Sequence, residues 1–160
     1  KAFAHKQFRN SKIKLIIAGE YYSDKDEYTN LIKKYSLENE VIQVDQFIPN
    51  SEVQYYFNAC DLVVQPYKTA TQSGVTQIAY HFNKPMIVTN VGGLEKMCPN
   101  EKVGYVVSTN PDDIADSIFR FFNDTDKPKM INNIIEEKRK YSWKILTQNM
   151  QLLYEKILEN

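Results

Sequence analysis

Short apolar runs alternate with helix-length segments over most of the chain. The runs are rich in β-branched residues and cover positions 14–19, 41–47, 62–65, 86–89 and 104–107. The segments between them have helical apolar spacing and predict helices over 24–35, 50–60, 74–83 and 110–122. Strands that alternate with crossover helices admit few topologies other than a parallel sheet. The sequence therefore predicts an α/β fold, a parallel sheet with helices on both faces.

The two ends of the chain add helical segments to this pattern. Residues 1–10 are predicted to form the last turns of an amphipathic helix, with Ala2, Phe3 and Phe8 on its apolar side. After residue 122 no further strand is indicated, and two helices are predicted over 127–140 and 142–158. The run 14–19 is continuous and ends at a glycine, so we expect that strand to be buried on both faces.

Composition limits the functions open to this chain. A length of 160 residues fits one domain, and 20 basic against 20 acidic residues give a net charge of +0. That balance supplies no single-sign field to attract nucleic acid or an anionic membrane. The longest apolar runs are far shorter than the roughly 20 residues that span a bilayer. We therefore predict one domain over 1–160, without a nucleic-acid partner and not integral to a membrane, although peripheral association stays open.

The cysteines indicate the cellular compartment of the protein, and the first residues indicate whether the sequence is a fragment. Neither Cys60 nor Cys98 has a His or Cys partner at zinc-ligand spacing, so no structural metal or disulfide is expected. Two unpaired cysteines favour the reducing cytoplasm. Lys1 opens a helical pattern without an initiator Met, which favours a fragment of a longer protein.

One loop has the residue types of an anion site. Residues 69–74, T-A-T-Q-S-G, are small and polar and lead directly into a predicted helix. With Ser73 as the N-cap, the positive end of that helix would offer a phosphate the free amides of Gly74, Val75 and Thr76. Gln77 lies one turn further on and has both a donor and an acceptor. On spacing alone, an ordinary capped turn explains the loop equally well.

Two further loops lie at the same predicted edge of the sheet, where open parallel sheets bind ligands. Gly92 and Gly93 form either a turn that needs positive φ or a wall that lets a ligand approach closely. Glu95 either accepts hydrogen bonds from a hydroxylated ligand or caps a short helix. Gly19 closes the first strand in the same neighbourhood. The sequence contains no P-loop, nucleophile elbow or zinc-protease motif, and it identifies no catalytic residue.

Four segments of the sequence, taken in order, resemble those of one protein family. The segments are K-L-I-I-A-G at 14–19, V-I-Q-V-D-Q-F-I-P-N at 41–50, N-K-P-M-I-V-T-N-V-G-G-L-E at 83–95 and N-P-D-D-I-A-D-S-I at 110–118. In that order they are similar to the C-terminal, nucleotide-sugar-binding half of GT-B glycosyltransferases of the group 1 (family four) type. The resemblance spans residues 14–122. It implies a Rossmann-like domain with extra helices at its C-terminus.

The resemblance also implies roles for individual residues. Members of the family hold the donor diphosphate on the positions that match Gln72, Ser73 and Gly74, with Gly19 nearby. The nucleotide base lies near Phe47, Ile48 and Pro49, and the loop that matches Gly92, Gly93 and Glu95 lies beside that site. The helix-end argument above falls on the same position, Gly74.

The sequence departs from the family pattern at two glutamates. The family usually has Glu at the positions that are Ala70 and Ile78 here. Gln77 is the candidate replacement for the ribose contact. Recognition of hydroxyl groups would then depend on neutral amides and backbone groups, so the choice of donor is expected to differ or to be lost.

The family implication for the whole protein is a sugar transfer. The chain would be the donor-binding half of a retaining-type glycosyltransferase that moves a sugar from a UDP- or GDP-sugar to a glycan or lipid-linked acceptor. We expect cytoplasmic polysaccharide biosynthesis, without metal or cofactor. The alternative is a non-catalytic GT-B-like domain used for ligand sensing or protein association.

Three parts of such an enzyme are expected upstream of residue 1. They are the first strand of the sheet, the Arg and Lys that neutralise the diphosphate, and the N-terminal domain with the acceptor site. A sheet without its central strand exposes two unpaired edges. We expect the present chain alone to bind donor weakly and to transfer nothing.

Overall fold

The computed structural model describes residues 1–8, 11–21 and 24–158. The strands are β1 (Leu15–Ala18), β2 (Val41–Val44), β3 (Val63–Gln65), β4 (Met86–Thr89) and β5 (Gly104–Val107). The helices are α1 (Lys25–Lys34), α2 (Asn50–Ala59), α3 (Gly74–His81), α4 (Leu94–Met97), α5 (Pro111–Asn123), α6 (Lys127–Glu137) and α7 (Trp143–Leu158). Short 3-10 turns cover Ala2–Ala4, Lys6–Phe8 and Lys138–Tyr141.

All strand pairs are parallel, as the alternating pattern predicts. One ladder pairs β1 with β2, and the other has the order β3-β4-β5. Within the described part of the chain no ladder joins β1 to β3. The α/β fold is confirmed, and it places the carboxyl ends of β3, β4 and β5 along one edge.

Two apolar clusters lie on the faces of these ladders. The first joins Phe3, Phe8 and the inner face of α5 to Ile87 and Tyr105, and Leu15, Ile17 and Val64 pack against it. It therefore links both ladders on one face. The second cluster packs α3, α4 and α6 on the other face of β4 through Tyr80, Leu94 and Ile134.

The central strand β4 and the first strand β1 differ in how far their residues are buried. All four residues of β4 are buried, the pattern of a strand covered on both faces. In β1 burial alternates, and Ile16 is 38% exposed, as Ile42 of β2 is at 48%. The prediction that the first strand is buried on both faces is wrong, because only one of its faces packs against the apolar cluster.

The first residues form two 3-10 turns rather than the end of an α-helix. Phe3 and Phe8 are both buried, with their rings stacked 5.1 Å apart between centroids. The apolar side of the segment was predicted correctly. Its helix type was not, because burial of two rings fixes this short segment more strongly than helical propensity does. The last two positions of the predicted segment, 9 and 10, lie outside the described residues.

Side-chain caps explain where two helices begin. Asn110 Oδ1 accepts a hydrogen bond from Asp112 N at 3.0 Å, with Pro111 as the first residue of α5, as predicted. Asp24 caps α1 in the same way. At α2 the residue types of Asn50, Ser51 and Glu52 predict a capped start. In the structure Pro49 occupies the N-cap position, Asn50 is already helical, and the N-cap residue makes no side-chain hydrogen bond.

Several tyrosines at helical spacing do not reach the core. In the sequence, five tyrosines have the helical spacing of core residues, but only Tyr80 of these is buried. The other four are exposed, namely Tyr28, Tyr35, Tyr55 and Tyr154. The apolar stripe of α7 is exposed along its whole length, with Leu153 and Ile157 at 60% and 65%. Among the described helices none is long and apolar enough to cross a membrane.

Candidate functional site

The first turn of α3 lies at the carboxyl end of β3. Pro66 follows the last strand residue, and the chain runs through a loop over 66–73 before α3 begins at Gly74. Ser73 occupies the N-cap position with extended backbone, φ −137° and ψ 123°. The predicted helix start is therefore at the right residue, beside the edge of the sheet where ligands bind.

Two main-chain amides at this helix end are free. In the part of the chain that the structure describes, no acceptor bonds to the N–H of Gly74 or Val75. Thr76 N donates to Ser73 O at 3.2 Å, so the third predicted amide is already engaged. A Cβ added at Gly74 would meet no heavy atom within 4 Å. The turn thus offers two donors beside open space, at the positive end of a helix.

The side chain of Ser73 has a different partner from the expected one. It makes no capping hydrogen bond to the first turn, and its Oγ lies 3.2 Å from the hydroxyl of Tyr67. Ser73 is buried, so its hydroxyl satisfies a neighbour inside the loop instead of the helix end. The two free amides therefore remain free for a ligand.

A buried polar network lies beneath the loop, and the sequence analysis missed it. Thr76 Oγ1 donates to Gln65 Oε1 at 3.0 Å, and Thr89 Oγ1 donates to the main-chain oxygen of Tyr67 at 2.6 Å. Gln65, Thr76 and Thr89 are each at most 2% exposed. One signal was available in the sequence, a glutamine at the end of the apolar strand V-V-Q.

The Gly92-Gly93 turn is fitted against the same loop. Gly92 has φ +56°, and a Cβ there would lie 1.6 Å from Ala70 O. A Cβ at Gly93 would lie 2.8 Å from Thr71 O, which accepts a hydrogen bond from Gly93 N at 3.0 Å. Of the two interpretations of these glycines, the geometry supports a turn that needs positive φ at Gly92, whereas Gly93 has φ −93° and is required by its close contact with Thr71 O. The close approach is to another loop of the protein.

The remaining predicted residues make no side-chain hydrogen bond to the start of α3 in the described ranges. Gln72 and Gln77 are exposed on either side of the helix start. Gly19 ends β1 with φ +131°, and Phe47 beyond β2 is 67% exposed, with Ile48 next to it half-buried. In the described ranges no hydrogen bond joins these three residues to the α3 loop.

Glu95 lies in the first turn of the four-residue helix α4 and is exposed. It lines an open groove of about 500 Å³ at the carboxyl ends of β4 and β5, together with Asn90, Lys96, Asn100, Val106, Val107 and Ser108. The N-cap position of α4 is Gly93, and among the described residues no hydrogen bond between the Glu95 carboxylate and this helix is found. The ligand interpretation of Glu95 stays a prediction.

The segment around α3 contains no acidic residue. Asp and Glu are absent from residues 62–94, whereas Lys68 and Lys84 are present. Lys84 Nζ bonds to the main-chain oxygen of Cys60 at 2.8 Å, so it caps the end of α2. Nothing negative on this segment repels an anion at the helix end. No cluster of three or more His, Cys, Asp or Glu side chains that could hold a metal exists among residues 1–8, 11–21 and 24–158.

The sequence matches the model of one known protein family. The model for "Glycosyl transferases group 1" matches residues 1–141. The chain belongs to this family. Its fold is that of a GT-B C-terminal domain, as the four sequence segments indicated. The family match covers the α3 loop and the Gly92-Gly93 turn. The family match also covers Ala70 and Ile78.

Solved glycosyltransferase structures share this fold. Sucrose-phosphate synthase from Thermosynechococcus elongatus superposes with a TM-score of 0.78 at 20% identity, over 99% of this chain and 42% of that one. Anabaena HepE in complex with UDP and glucose gives 0.71 at 21% identity, over 96% and 42%. The C-terminal domain of the group 1 protein LpcC from Francisella tularensis gives 0.78 at 19%, over 89% and 76%.

The chain spans less than half of the length of the first two of these structures. No curated protein sequence matches it at a significant level. The family and the fold are thus established by the family model and the superpositions. The substrates are a separate question that depends on the site.

Proposed function

We propose that this chain is the donor-binding domain of a glycosyltransferase that takes its sugar from a UDP- or GDP-sugar. The proposal depends on one observation, the two free amides of Gly74 and Val75 at the N-terminus of α3. A diphosphate presents several anionic oxygens to such a helix end, where N–H groups and the helix dipole both favour it.

Open space and local charge support a phosphate at this position. The space that a side chain would fill at Gly74 is empty, so a bulky anion can reach the main chain. The absence of acidic residues from 62–94 leaves the region neutral to positive. The HepE complexes contain UDP, UDP with glucose, and UDP-glucose in proteins of the same fold.

The chemistry proposed for this domain is stabilisation of the departing nucleoside diphosphate. Negative charge develops on that group as the bond to the sugar breaks, and preorganised amides lower the energy of the charged state. Following the family resemblance, we place the base near Phe47 and Ile48 and the ribose near Gln77. We assign the domain no metal or organic cofactor.

The finer features of the reaction are also proposals. A retaining outcome, a glycan or lipid-linked acceptor, and a cytoplasmic role in polysaccharide biosynthesis follow from the resemblance. The acceptor would bind to an N-terminal domain across the cleft, because one half of a cleft cannot enclose both substrates.

A second candidate function has a specific observation in its favour. The positions of both family glutamates are apolar here, Ala70 and Ile78, and each is half-buried. Ala70 packs against the second apolar cluster. A domain that has lost these carboxylates could serve ligand sensing or protein association in place of catalysis.

Calorimetric titration of the complete protein with UDP and with GDP tests the proposal. We expect one of them to bind and Gly74→Val to weaken that binding at least tenfold, since valine would fill the space in front of the free amides. The thermal midpoint should change little, because a Cβ at this position meets no heavy atom within 4 Å outside the adjoining residues and the backbone of α3. Gln77→Ala, measured in the same way, tests the ribose contact. Absence of binding to either nucleotide would favour the second function.

A further inference from the structure

Buried polar side chains are concentrated at one place in this molecule. Five polar or charged residues are buried in the described ranges, and four of them surround the loop before α3, namely Gln65, Ser73, Thr76 and Thr89. Polar groups are costly to bury and are kept where they are paired or where function needs them. Among the residues that the structure describes, the buried polar side chains are therefore gathered around the loop that precedes the two free amides.

Gln65 is not explained by stability. Its Oε1 accepts from Thr76 Oγ1, but its Nε2 is buried without an acceptor in the described structure. A buried donor without a partner destabilises a fold, and an apolar pair of similar shape would be at least as stable. The position at the end of β3 would suit a leucine, as its strand neighbours Val63 and Val64 indicate.

The hydroxyl that Gln65 binds belongs to the first turn of α3. Thr76 is the third residue of that helix, and its own N–H closes the turn onto Ser73 O. The Gln65–Thr76 hydrogen bond thus ties the turn to the end of β3. At the neighbouring strand, Thr89 Oγ1 at the end of β4 donates a hydrogen bond to Tyr67 O in the loop. The loop and the first turn of α3 are therefore attached to both β3 and β4.

We infer that Gln65 is a positioning residue that, through Thr76, fixes where the first turn of α3 presents the free amides of Gly74 and Val75. An anion bound by two N–H groups needs both aimed at one point, and a hydrogen bond weakens steeply when its angle departs from linearity. This inference rests on the proposed function, because it assigns those amides to a diphosphate.

The test is a set of variants of the complete protein, titrated with UDP and with GDP and heated to measure the thermal midpoint. The double variant Gln65→Leu with Thr76→Val removes both polar partners together. We expect its dissociation constant for the nucleotide that binds to rise about tenfold, about 1.4 kcal/mol, with a thermal midpoint no lower than that of the wild type.

Two single variants separate positioning from packing. Thr76→Val should weaken nucleotide binding as the double variant does, whereas Thr76→Ser keeps the hydroxyl and should restore the affinity. Glu137→Gln is the matched control, since it changes the fifth buried polar residue, on α6. It should lower the midpoint and leave the dissociation constant unchanged.

Each outcome has a defined meaning. A double variant that binds the nucleotide as tightly as the wild type overturns the inference and makes Gln65 an ordinary core residue. If the double variant does not fold, equal dissociation constants for Thr76→Val and Thr76→Ser overturn it instead. A wild-type protein that binds neither UDP nor GDP would contradict the proposed function itself, whereas failure of the variants alone leaves that function intact.

Discussion

Two glycines in neighbouring loops show how the same residue type serves different needs. Gly92 is required by the protein itself, because it has positive φ and its missing Cβ makes room for Ala70 O. At Gly74 an added Cβ would have no neighbour within 4 Å, so packing does not require a glycine there. Because Gly74 lies in front of two free amides, we expect that the ligand, and not the fold, requires glycine at this position.

Replacement of Gly92 by alanine should therefore affect the fold as well as binding. The new Cβ would overlap Ala70 O in a strained backbone conformation, so the turn and the α3 loop must move apart. We expect a loss of about 2 kcal/mol in stability, seen as a lower thermal midpoint, together with weaker UDP or GDP binding. Gly74→Ala is the matched control and should keep the midpoint. An unchanged midpoint for Gly92→Ala would refute the close packing of the two loops.

Single residues also show the limits of the sequence analysis. Ser73 was placed correctly at the N-cap position, but its hydroxyl pairs with Tyr67 and not with the helix end. The Gln65–Thr76 hydrogen bond was missed because its partners are 11 positions apart on different elements. Local spacing predicted the start of α3 and the free amides of Gly74 and Val75, but it was wrong for Thr76, whose N–H bonds to Ser73 O. It does not predict which side chains meet after the chain folds.

Helix α6 is attached to the sheet by a buried carboxylate. Glu137 accepts from Lys102 Nζ at 2.7 Å and from Lys140 Nζ, and its side chain is almost inaccessible. These two hydrogen bonds hold the pKa of Glu137 below its usual range. Lys102 lies just before β5, so the ion pairs fix α6 against the end of that strand.

The lowered pKa of Glu137 makes the stability of this attachment depend on pH. Its contribution is fully present above about pH 4.3, the unfolded pKa of a glutamate, and is lost as the pH falls through the lower folded value. Thermal midpoints of wild type and Glu137→Gln should differ most at neutral pH, by about 5 °C for about 2 kcal/mol. The difference should shrink between pH 4 and pH 2. A difference that is constant over this range would contradict the ionised, paired state of Glu137.

At the element scale the sequence predicted most of the architecture. The alternation of runs placed all five strands and the helices α1, α2, α3 and α5, since burial on a sheet imposes a pattern on each element separately. It did not predict the four-residue helix α4. The sequences of β1 and α7 are as apolar as those of the buried elements, yet Ile16 is exposed, and so is the apolar stripe of α7, formed by Ile145, Leu146, Leu153 and Ile157. An apolar pattern shows that a face is suited to burial, but it does not show which element covers that face.

At the scale of the whole molecule, the surfaces that remain uncovered match the parts that the family resemblance places upstream. Among the described residues no ladder pairs β1 with β3, and Ile16 and Ile42 are exposed on one face of the first ladder. The chain spans 42% of the length of sucrose-phosphate synthase from T. elongatus. On the family resemblance alone, we propose that the complete protein has a further strand, two phosphate-neutralising cations and an acceptor domain.

The isolated chain of 160 residues should accordingly be inactive. Without the proposed Arg and Lys, we expect it to bind UDP or GDP at least tenfold more weakly than the complete protein, as loss of two charge-assisted contacts implies. It should release no nucleoside diphosphate from a UDP- or GDP-sugar in the presence of acceptor. Turnover by the chain alone would contradict the division of labour between two domains.

The most direct measurement is a structure of the complete protein with bound UDP or GDP, whichever binds in titration. The account predicts a β-phosphate oxygen about 3 Å from the main-chain nitrogen of Gly74 or Val75, with the base near Phe47. A nucleotide bound elsewhere, with these two amides still facing solvent, would contradict the central claim that the first turn of α3 receives the diphosphate.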